Sequence, residues 1–143
     1  MARPARPIVL SAQTIAAMPE EGFSEAATRG DVTWKTLLSS SRTLSDTLTS
    51  GLARCAPRGG HLKCHRHTHP EVYHVVQGRG IVTVDGEEKE VGRGSVVFIP
   101  GNAEHGIRNE DDEDDLVWLY VFAVDTFEEV VYRFGEGGTK AKL

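Results

Sequence analysis

Short runs rich in Val, Ile, Leu, Thr and aromatic residues recur from residue 31 to residue 134, with polar or Gly-rich turns between them. Runs of this length and composition are typical of β-strands. The pattern predicts strands at 33–38, 48–55, 71–77, 81–84, 87–91, 95–99, 105–109, 116–124 and 130–134. The dipeptide Asp85-Gly86 between two of these runs indicates a tight hairpin, because its turn requires positive φ.

The predicted strands follow one another without helical segments of 10–15 residues between them. A parallel α/β sheet would need such segments as crossovers, so their absence argues against that architecture. Many short strands joined by turns favour an all-β sandwich or barrel. The acidic run from Glu110 to Asp115 separates two strands, and we interpret it as a solvated loop. A cation site in this loop is the alternative.

Residues 1–30 differ from the remainder and are rich in Ala and Pro. Ser11 is a candidate N-cap for a helix over 12–18, and Pro19 opposes its continuation. A second helical turn is predicted at 24–28. We therefore expect a short, partly helical N-terminal arm over 1–30, packed on the outside of the domain or on a partner subunit. One domain is expected over 31–143.

The composition is that of an ordinary globular protein, with 39% hydrophobic and 26% charged residues. The formal net charge is -5 and the Lys and Arg residues are scattered, which argues against nucleic acid as a partner. Apolar runs are too short for a secretory signal or a membrane span. Cys55 and Cys64 are expected to be free thiols in a reducing compartment. These features predict a cytoplasmic protein whose partner is a small-molecule substrate.

Five of the six histidines lie between His61 and His74. His65 and His67 stand two residues apart, so on a strand their rings share one face and can chelate one ion. Glu71 follows after a short turn and can add a carboxylate. His105 is the one histidine elsewhere in the chain, and we expect it to be the fourth donor. Three imidazoles and a carboxylate suit several divalent transition metals.

The spacing of these residues resembles the two motifs of the cupin family. Gly59, His65, His67, Glu71 and Gly78 stand at the intervals of the first motif. The second motif is matched at Gly94, Pro100, Asn102, His105 and Asn109, where Asn102 replaces a glycine. Because asparagine tolerates the left-handed region better than most residues, we expect the turn to persist.

The resemblance implies a jelly-roll barrel, also called a double-stranded β-helix, with one divalent metal ion in its mouth. It implies His65, His67, Glu71 and His105 as ligands and a homodimer as the assembly. Iron(II) or manganese(II) is the expected ion, with zinc or nickel as alternatives.

Two residues near the predicted ligands are candidates for chemistry. Tyr73 lies two residues after Glu71 and so shares its face of the strand. A phenol beside a divalent cation ionises more easily and can act as a base; a core tyrosine is the alternative. His69, in the turn before Glu71, is a candidate substrate contact or an exposed loop histidine.

The run 116–122 separates two classes of side chain. Trp118, Tyr120 and Phe122 share one face, and Val117, Leu119 and Val121 share the other. If the aromatic face lines the barrel, it forms a pocket for a small organic substrate. Packing in the core or at a dimer interface is the alternative, and Trp34 could serve either purpose.

A narrower resemblance joins this sequence to small bacterial cupins that cleave dimethylsulfoniopropionate. It rests on the stretches 65–73, 97–109 and 118–134. It implies a β-elimination to acrylate and dimethyl sulfide, with Tyr73 as the base and aromatic side chains around the sulfonium group. The alternatives are an Fe(II) dioxygenase acting on a small diketone, thiol or enol, and a non-catalytic cupin that binds a small molecule.

Overall fold

Two antiparallel sheets form the molecule in the computed structural model, which describes residues 4–135. The strands are β1 (Glu21–Gly22), β2 (Thr33–Leu38), β3 (Thr49–Cys55), β4 (His61–Arg66), β5 (Glu71–Gln77), β6 (Arg79–Val84), β7 (Glu87–Gly92), β8 (Val96–Ile99), β9 (His105–Asn109), β10 (Leu116–Phe122) and β11 (Arg133–Phe134). The helices are α1 (Ala12–Ala16), α2 (Ala26–Arg29) and a 3-10 turn at Phe127–Glu129. The all-β prediction is confirmed.

The chain passes repeatedly from one sheet to the other. The six-stranded sheet has the order β1-β2-β3-β10-β5-β8, and the five-stranded sheet has the order β11-β4-β9-β6-β7. The crossings from β4 to β5 and from β9 to β10 connect the two sheets. As a result β4 and β9 are neighbours in one sheet, and β5 lies in the other. Side chains on their inner faces point into the same interior.

The aromatic face of β10 lines that interior. Trp118, Tyr120 and Phe122 are buried, whereas the alternating valine and leucine side chains are half-buried on the outer face. The Tyr120 hydroxyl lies directly over Gly51 on β3, where any Cβ would overlap it. Of the two faces that the sequence left open, the aromatic one is therefore inside.

The turns follow the predicted chemistry. Asp85 has φ 48° and Gly86 has φ 83°, and Val84 pairs with Glu87 across the hairpin. This double positive φ is the requirement that makes Asp-Gly a hairpin sequence. The acidic run 110–115 is a mostly exposed loop, in which the Asp111 carboxylate accepts backbone hydrogen bonds from Glu113 and Asp114. The loop interpretation is confirmed.

The N-terminal arm begins with the predicted helix. The Ser11 hydroxyl accepts a hydrogen bond from the Thr14 amide at 3.0 Å, and α1 ends at Ala16, two residues before the predicted end. The Lys35 ammonium on β2 donates to the carbonyls of Ile15 and Ala16, both at 3.1 Å. A cation is well placed there because the last carbonyls of a helix carry partial negative charge.

Two arginine–glutamate pairs attach the next part of the arm to the barrel. Arg54 donates to both Glu20 carboxylate oxygens at 2.9 and 3.0 Å, and Arg42 donates to both Glu21 oxygens at 3.1 and 3.0 Å. Such bidentate pairs fix orientation as well as position. They hold β1 against β2 and place Phe23 against the ring of Trp34.

The predicted strand at 130–134 is shorter than expected. Only Arg133 and Phe134 pair with β4, because a 3-10 turn occupies 127–129 and the chain is irregular up to Tyr132. Cys55 and Cys64 are both free thiols, as predicted. Within residues 4–135, no helix is long and apolar enough to cross a membrane.

Candidate metal centre

Three imidazole rings meet at one end of the barrel interior. His65 on β4 is the direct cross-strand partner of His105 on β9, and His67 follows immediately after β4. One ring nitrogen from each lies within 4.8 Å of the other two, and all three side chains are at most 1% exposed. The structure thus brings together the three histidines selected from the sequence.

Each ring is held by a backbone carbonyl two residues away in the chain. The Nδ1 atoms of His65, His67 and His105 lie 2.8, 2.9 and 2.9 Å from the carbonyl oxygens of Lys63, His69 and Ala103 respectively. A carbonyl only accepts hydrogen bonds, so each Nδ1 must carry the proton. A neutral ring with its proton on Nδ1 presents the lone pair of its Nε2 atom to the centre, as a metal ligand must.

Glu71 completes the cluster from the opposite sheet. Its Oε1 atom lies 3.2 Å from the Nε2 atom of His67 and 3.3 Å from that of His105. Neither pair forms a hydrogen bond, and in a neutral ring with its proton on Nδ1 the Nε2 atom is itself an acceptor. The three Nε2 atoms and Oε1 are buried without any hydrogen-bond partner. Buried polar atoms without partners are costly.

A cation between these atoms resolves the conflict. Four converging lone-pair donors repel one another unless a positive charge lies among them, and three imidazoles with one carboxylate match the ligands of divalent transition metals. Burial lowers the pKa of His65 well below its ordinary value, and the neighbouring His105 ring lowers it further. That ring is neutral at physiological pH, as a metal ligand must be. The residues present therefore fit a divalent metal ion.

The turn at Asn102 joins the cluster to the C-terminal strand. Asn102 has φ 68°, so it adopts the left-handed conformation expected where the cupin motif has glycine. Its amide donates to the His67 carbonyl at 2.8 Å, and its side-chain oxygen accepts a hydrogen bond from Arg133 at 2.6 Å. The asparagine thus keeps the turn and adds a contact that glycine cannot make.

A narrow cavity lies beside the cluster. The centre of a water-sized sphere has about 20 Å³ in which to move, which is room for about one water molecule. A larger ligand can enter only if lining side chains rotate. The lining residues are Phe23, Val32, Trp34, Ala53, Leu62, Glu71, Tyr73, Trp118, Tyr120, Phe127 and Tyr132.

The predicted substrate residues divide into two groups. Trp118 and Tyr120 line the cavity. Phe122 does not; its ring packs edge-on against His67 with 5.1 Å between centroids. His69 also lies outside the lining, and its carbonyl holds the His67 ring instead. A substrate contact from Phe122 or His69 stays a prediction.

Tyr73 lines the cavity from the same strand as Glu71 and is 1% exposed. Burial raises the pKa of Tyr73 well above its ordinary value, and the Glu71 carboxylate raises it further. In the protein without metal the phenol is therefore protonated at neutral pH. A cation held by Glu71 and the histidines would oppose the effect of that carboxylate.

Three aromatic lining residues were not expected from the sequence. They are Phe23 of the arm, Phe127 of the 3-10 turn and Tyr132. Tyr132 stacks on His65 with 4.7 Å between ring centroids and 28° between planes. For Phe127 and Tyr132, the many aromatic residues in the segment 118–134 were an indication in the sequence that they could line the cavity. For Phe23 there was no such indication in the sequence, because it is a single aromatic residue in a segment without a strand pattern.

The fold and the site together define a small jelly-roll protein with a buried three-histidine cluster, next to Glu71, that is compatible with a divalent metal. Residues 51–122 match the family described as "Cupin domain". The chain therefore belongs to the cupin family. The predicted double-stranded β-helix is confirmed.

Comparison with individual proteins agrees with this assignment. The chain is 40% identical over 107 residues to dimethylsulfoniopropionate lyase DddW of Ruegeria pomeroyi, covering 75% of this chain and 68% of that protein. The predicted resemblance to that group of cupins is thereby confirmed. A cupin-2 domain protein from Rhodospirillum rubrum has a TM-score of 0.71 at 23% identity, covering 94% of this chain and 84% of that one.

A third similarity is to a protein named for a different activity. The polyketide cyclase RemF from Streptomyces resistomycificus has a TM-score of 0.71 at 18% identity, with 92% of this chain and 85% of that chain covered. At such identities a structural match shows the fold alone, and one fold supports many reactions.

Proposed function

We propose that this protein is a metal-dependent lyase that cleaves dimethylsulfoniopropionate to acrylate and dimethyl sulfide. The observation that carries the proposal is the position of Tyr73. It lines the cavity two residues from Glu71, whose carboxylate lies beside the Nε2 atoms of His67 and His105. The 40% identity to DddW supports this substrate over others that a cupin could accept.

The reaction needs a carboxylate anchor, a base and a dry enclosure. A divalent cation at the centre would act as a Lewis acid toward the substrate carboxylate and would acidify the adjacent C–H bond. The Tyr73 phenolate oxygen removes that α-proton. The electron pair of the C–H bond forms the new C=C bond, and the C–S bond breaks with its pair remaining on sulfur. Acrylate and dimethyl sulfide leave, and the proton stays on Tyr73.

Tyr73 must be ionised before it can accept the proton. Burial and the Glu71 charge oppose this, because both raise the pKa of the phenol. Ligation of Glu71 to a cation would neutralise the second cause and replace it by an attraction. The proposal therefore makes the basicity of Tyr73 depend on the filled centre, and proton abstraction should cease when the metal is removed.

The enclosure of the cavity suits the reaction. Apart from Glu71 its lining is apolar or aromatic, and about one water molecule fits. Exclusion of water strengthens the electrostatic interactions at the centre. The substrate must displace aromatic side chains to enter, which makes entry a separate step from chemistry.

A single assay separates the three functions under consideration. The protein is loaded with Fe(II) or Mn(II) and given dimethylsulfoniopropionate, and release of acrylate and uptake of oxygen are recorded together. Acrylate release without oxygen uptake supports the lyase. Oxygen uptake with a small diketone, thiol or enol in its place would support the dioxygenase, and neither activity would leave a binding protein. Chelated protein is the control and should be inactive.

A further inference from the structure

The hairpin between β6 and β7 adjoins the segment that carries His105. In the ladder between β6 and β9, Val84 pairs with His105, which is the first residue of β9 and also the cross-strand partner of His65. The histidine therefore stands in the last pair of its strand. Strand ends open more readily than strand interiors. The orientation of His105 thus depends on what holds the chain immediately before it.

Asp85 adds one more pair to this ladder, and it uses its side chain to do so. In a hydrogen-bonded antiparallel pair the two residues exchange both N–H···O bonds. The Asp85 amide donates to the Glu104 carbonyl at 2.7 Å, which is the first of these bonds. The chain leaves the strand at Asp85, where φ is 48°, and the Glu104 amide donates instead to Oδ1 of the Asp85 carboxylate at 3.0 Å. The carboxylate thus takes the place of a main-chain acceptor.

The amide that Asp85 accepts from belongs to the peptide group that orients His105. The Glu104 N–H and the Ala103 carbonyl are two ends of one planar group, so the direction of one determines the direction of the other. The Ala103 carbonyl lies 2.9 Å from Nδ1 of His105. Asp85 and the His105 ring therefore bind opposite ends of the same peptide plane.

This arrangement also affects the electron density on the ring. An anion that accepts from the N–H polarises the peptide and makes its carbonyl a stronger acceptor. A stronger hydrogen bond at Nδ1 raises the basicity of Nε2 as a ligand. His67 lacks a corresponding arrangement, because the carbonyl that holds its ring is that of His69, and the next residue is Pro70, which has no N–H.

We propose that Asp85 is a positioning residue of the metal centre, which acts on His105 through the peptide group between Ala103 and Glu104. The hairpin turn alone does not require this carboxylate, because Asn-Gly and Gly-Gly form the same turn. The inference rests on the metal centre and is independent of the reaction that the centre performs.

Substitution of Asp85 separates the carboxylate from the turn. Asp85→Gly keeps the amide and the left-handed backbone and removes the side-chain acceptor. Zn(II) affinity of the full-length protein is measured by competition with a chromophoric chelator. Because Asp85 is exposed and water competes for its carboxylate, we expect affinity to fall about tenfold, the lower end of the range for groups behind a metal ligand. Unchanged affinity in Asp85→Gly overturns the proposal.

Two further variants serve as comparisons. Asp85→Asn should bind Zn(II) within about twofold of the unmodified protein, since its amide oxygen can still accept from Glu104. Gly86→Asn is the matched control, because it changes the same turn at a position where no atom lies within 4 Å of an added Cβ, and asparagine tolerates the φ of 83°. A loss in Gly86→Asn as large as in Asp85→Gly would assign the effect to the turn. Thermal unfolding verifies that each variant is folded.

A double-mutant cycle tests whether Asp85 acts through His105. In a protein that already carries His105→Ala, Asp85→Gly should change Zn(II) affinity by less than about twofold, because the ring that it positions is gone. An equal loss in both backgrounds would show that Asp85 supports the fold in general, and would refute the positioning role.

Amide hydrogen exchange in the chelated protein gives a readout without metal. The Glu104 amide should lose most of its protection in Asp85→Gly, whereas the Asn109 amide at the other end of β9, which donates to the Gly60 carbonyl at 2.9 Å, should keep its rate. Equal exchange of Glu104 in the two proteins would contradict a peptide group held by the carboxylate.

The two proposals fail separately. If the affinities follow the expected pattern but no acrylate is released, the role of Asp85 stands and the lyase assignment fails. If acrylate is released and Asp85→Gly binds Zn(II) like the unmodified protein, the lyase stands and Asp85 only forms the turn.

Discussion

His105 supplies the one imidazole of the centre that comes from outside the histidine-rich segment. Its Nε2 atom lies 3.3 Å from Glu71, and its Nδ1 atom is held by the Ala103 carbonyl. We expect His105→Ala to lower metal affinity at least a hundredfold, since even changes to outer-shell partners cost tenfold to a hundredfold. Elemental analysis after gel filtration measures this. His74→Ala is the control, because His74 is exposed on the outer face of β5. Unchanged stoichiometry in His105→Ala would falsify its assignment as a ligand.

Tyr73 can be tested without disturbing the ligands. Tyr73→Phe removes the hydroxyl and keeps the ring, so bound metal should be unchanged while acrylate release falls by a factor of about 10² to 10⁴, the range for a general base. Tyr120→Phe is the comparison, because Tyr120 lines the same cavity but directs its hydroxyl over Gly51. It should keep most of the activity. Full turnover in Tyr73→Phe excludes proton abstraction by this residue.

At the scale of elements, the arm is attached by charge. Burial pushes the pKa of Glu21 upward, but hydrogen bonds from Arg42 and Thr36 outweigh it, so the net pKa is lowered; that of Glu20 is lowered chiefly by Arg54. A carboxylate whose folded pKa is lowered contributes stability above its unfolded pKa, about 4.5, and this contribution is lost as the pH falls through the folded value.

We therefore expect the arm to loosen as the pH falls below about 4.5 and through the lowered pKa values of Glu20 and Glu21, before the barrel unfolds. The Phe23 ring should lose its contact with Trp34, which NMR shifts of the Phe23 ring report directly. Glu21→Gln is the control variant: without the charge, the Phe23 shifts should depend less on pH between about 3 and 5. Shifts that stay constant over this range in the unmodified protein would rule out attachment by these pairs.

Strands with a strong local pattern could be predicted from the sequence, and elements fixed by distant contacts could not. The hairpin around Asp85-Gly86 follows from local backbone preferences alone, and its observed φ values agree. The strand β1 has two residues and is held by Arg42 and Arg54 from distant segments. No local pattern announces such an element, and for the same reason the predicted strand at 130–134 was too long.

The centre itself was more predictable than its surroundings. Chelation by residues close together in the chain imposes fixed intervals, so His65, His67 and Glu71 leave a trace in the sequence. The grouping of Phe23, Trp34, Phe127 and Tyr132 around the cavity leaves no such interval, because these rings meet only after the arm, β2 and the tail have packed together. Pockets formed from many segments require the structure.

At the scale of the whole molecule, metal binding should stabilise the fold. A ligand that binds only the folded state adds about 2.7 kcal/mol when its free concentration is a hundredfold above Kd. For a domain of this size that corresponds to a rise in Tm of about 9 °C. Calorimetry with added Mn(II) and then with a chelator measures it, and His105→Ala should respond much less. A Tm that ignores metal in the unmodified protein would contradict a metal centre inside the barrel.

The way the three imidazoles are oriented affects which substitutions near the centre leave the ligand rings in place. Their Nδ1 atoms are held by the main-chain carbonyls of Lys63, His69 and Ala103, and not by side chains. In many metal sites a carboxylate side chain accepts the Nδ1 hydrogen bond, and a single substitution removes it. Here substitution at the three orienting positions leaves the acceptor atom in place. The orientation of the three rings therefore does not depend on which side chains stand at positions 63, 69 and 103.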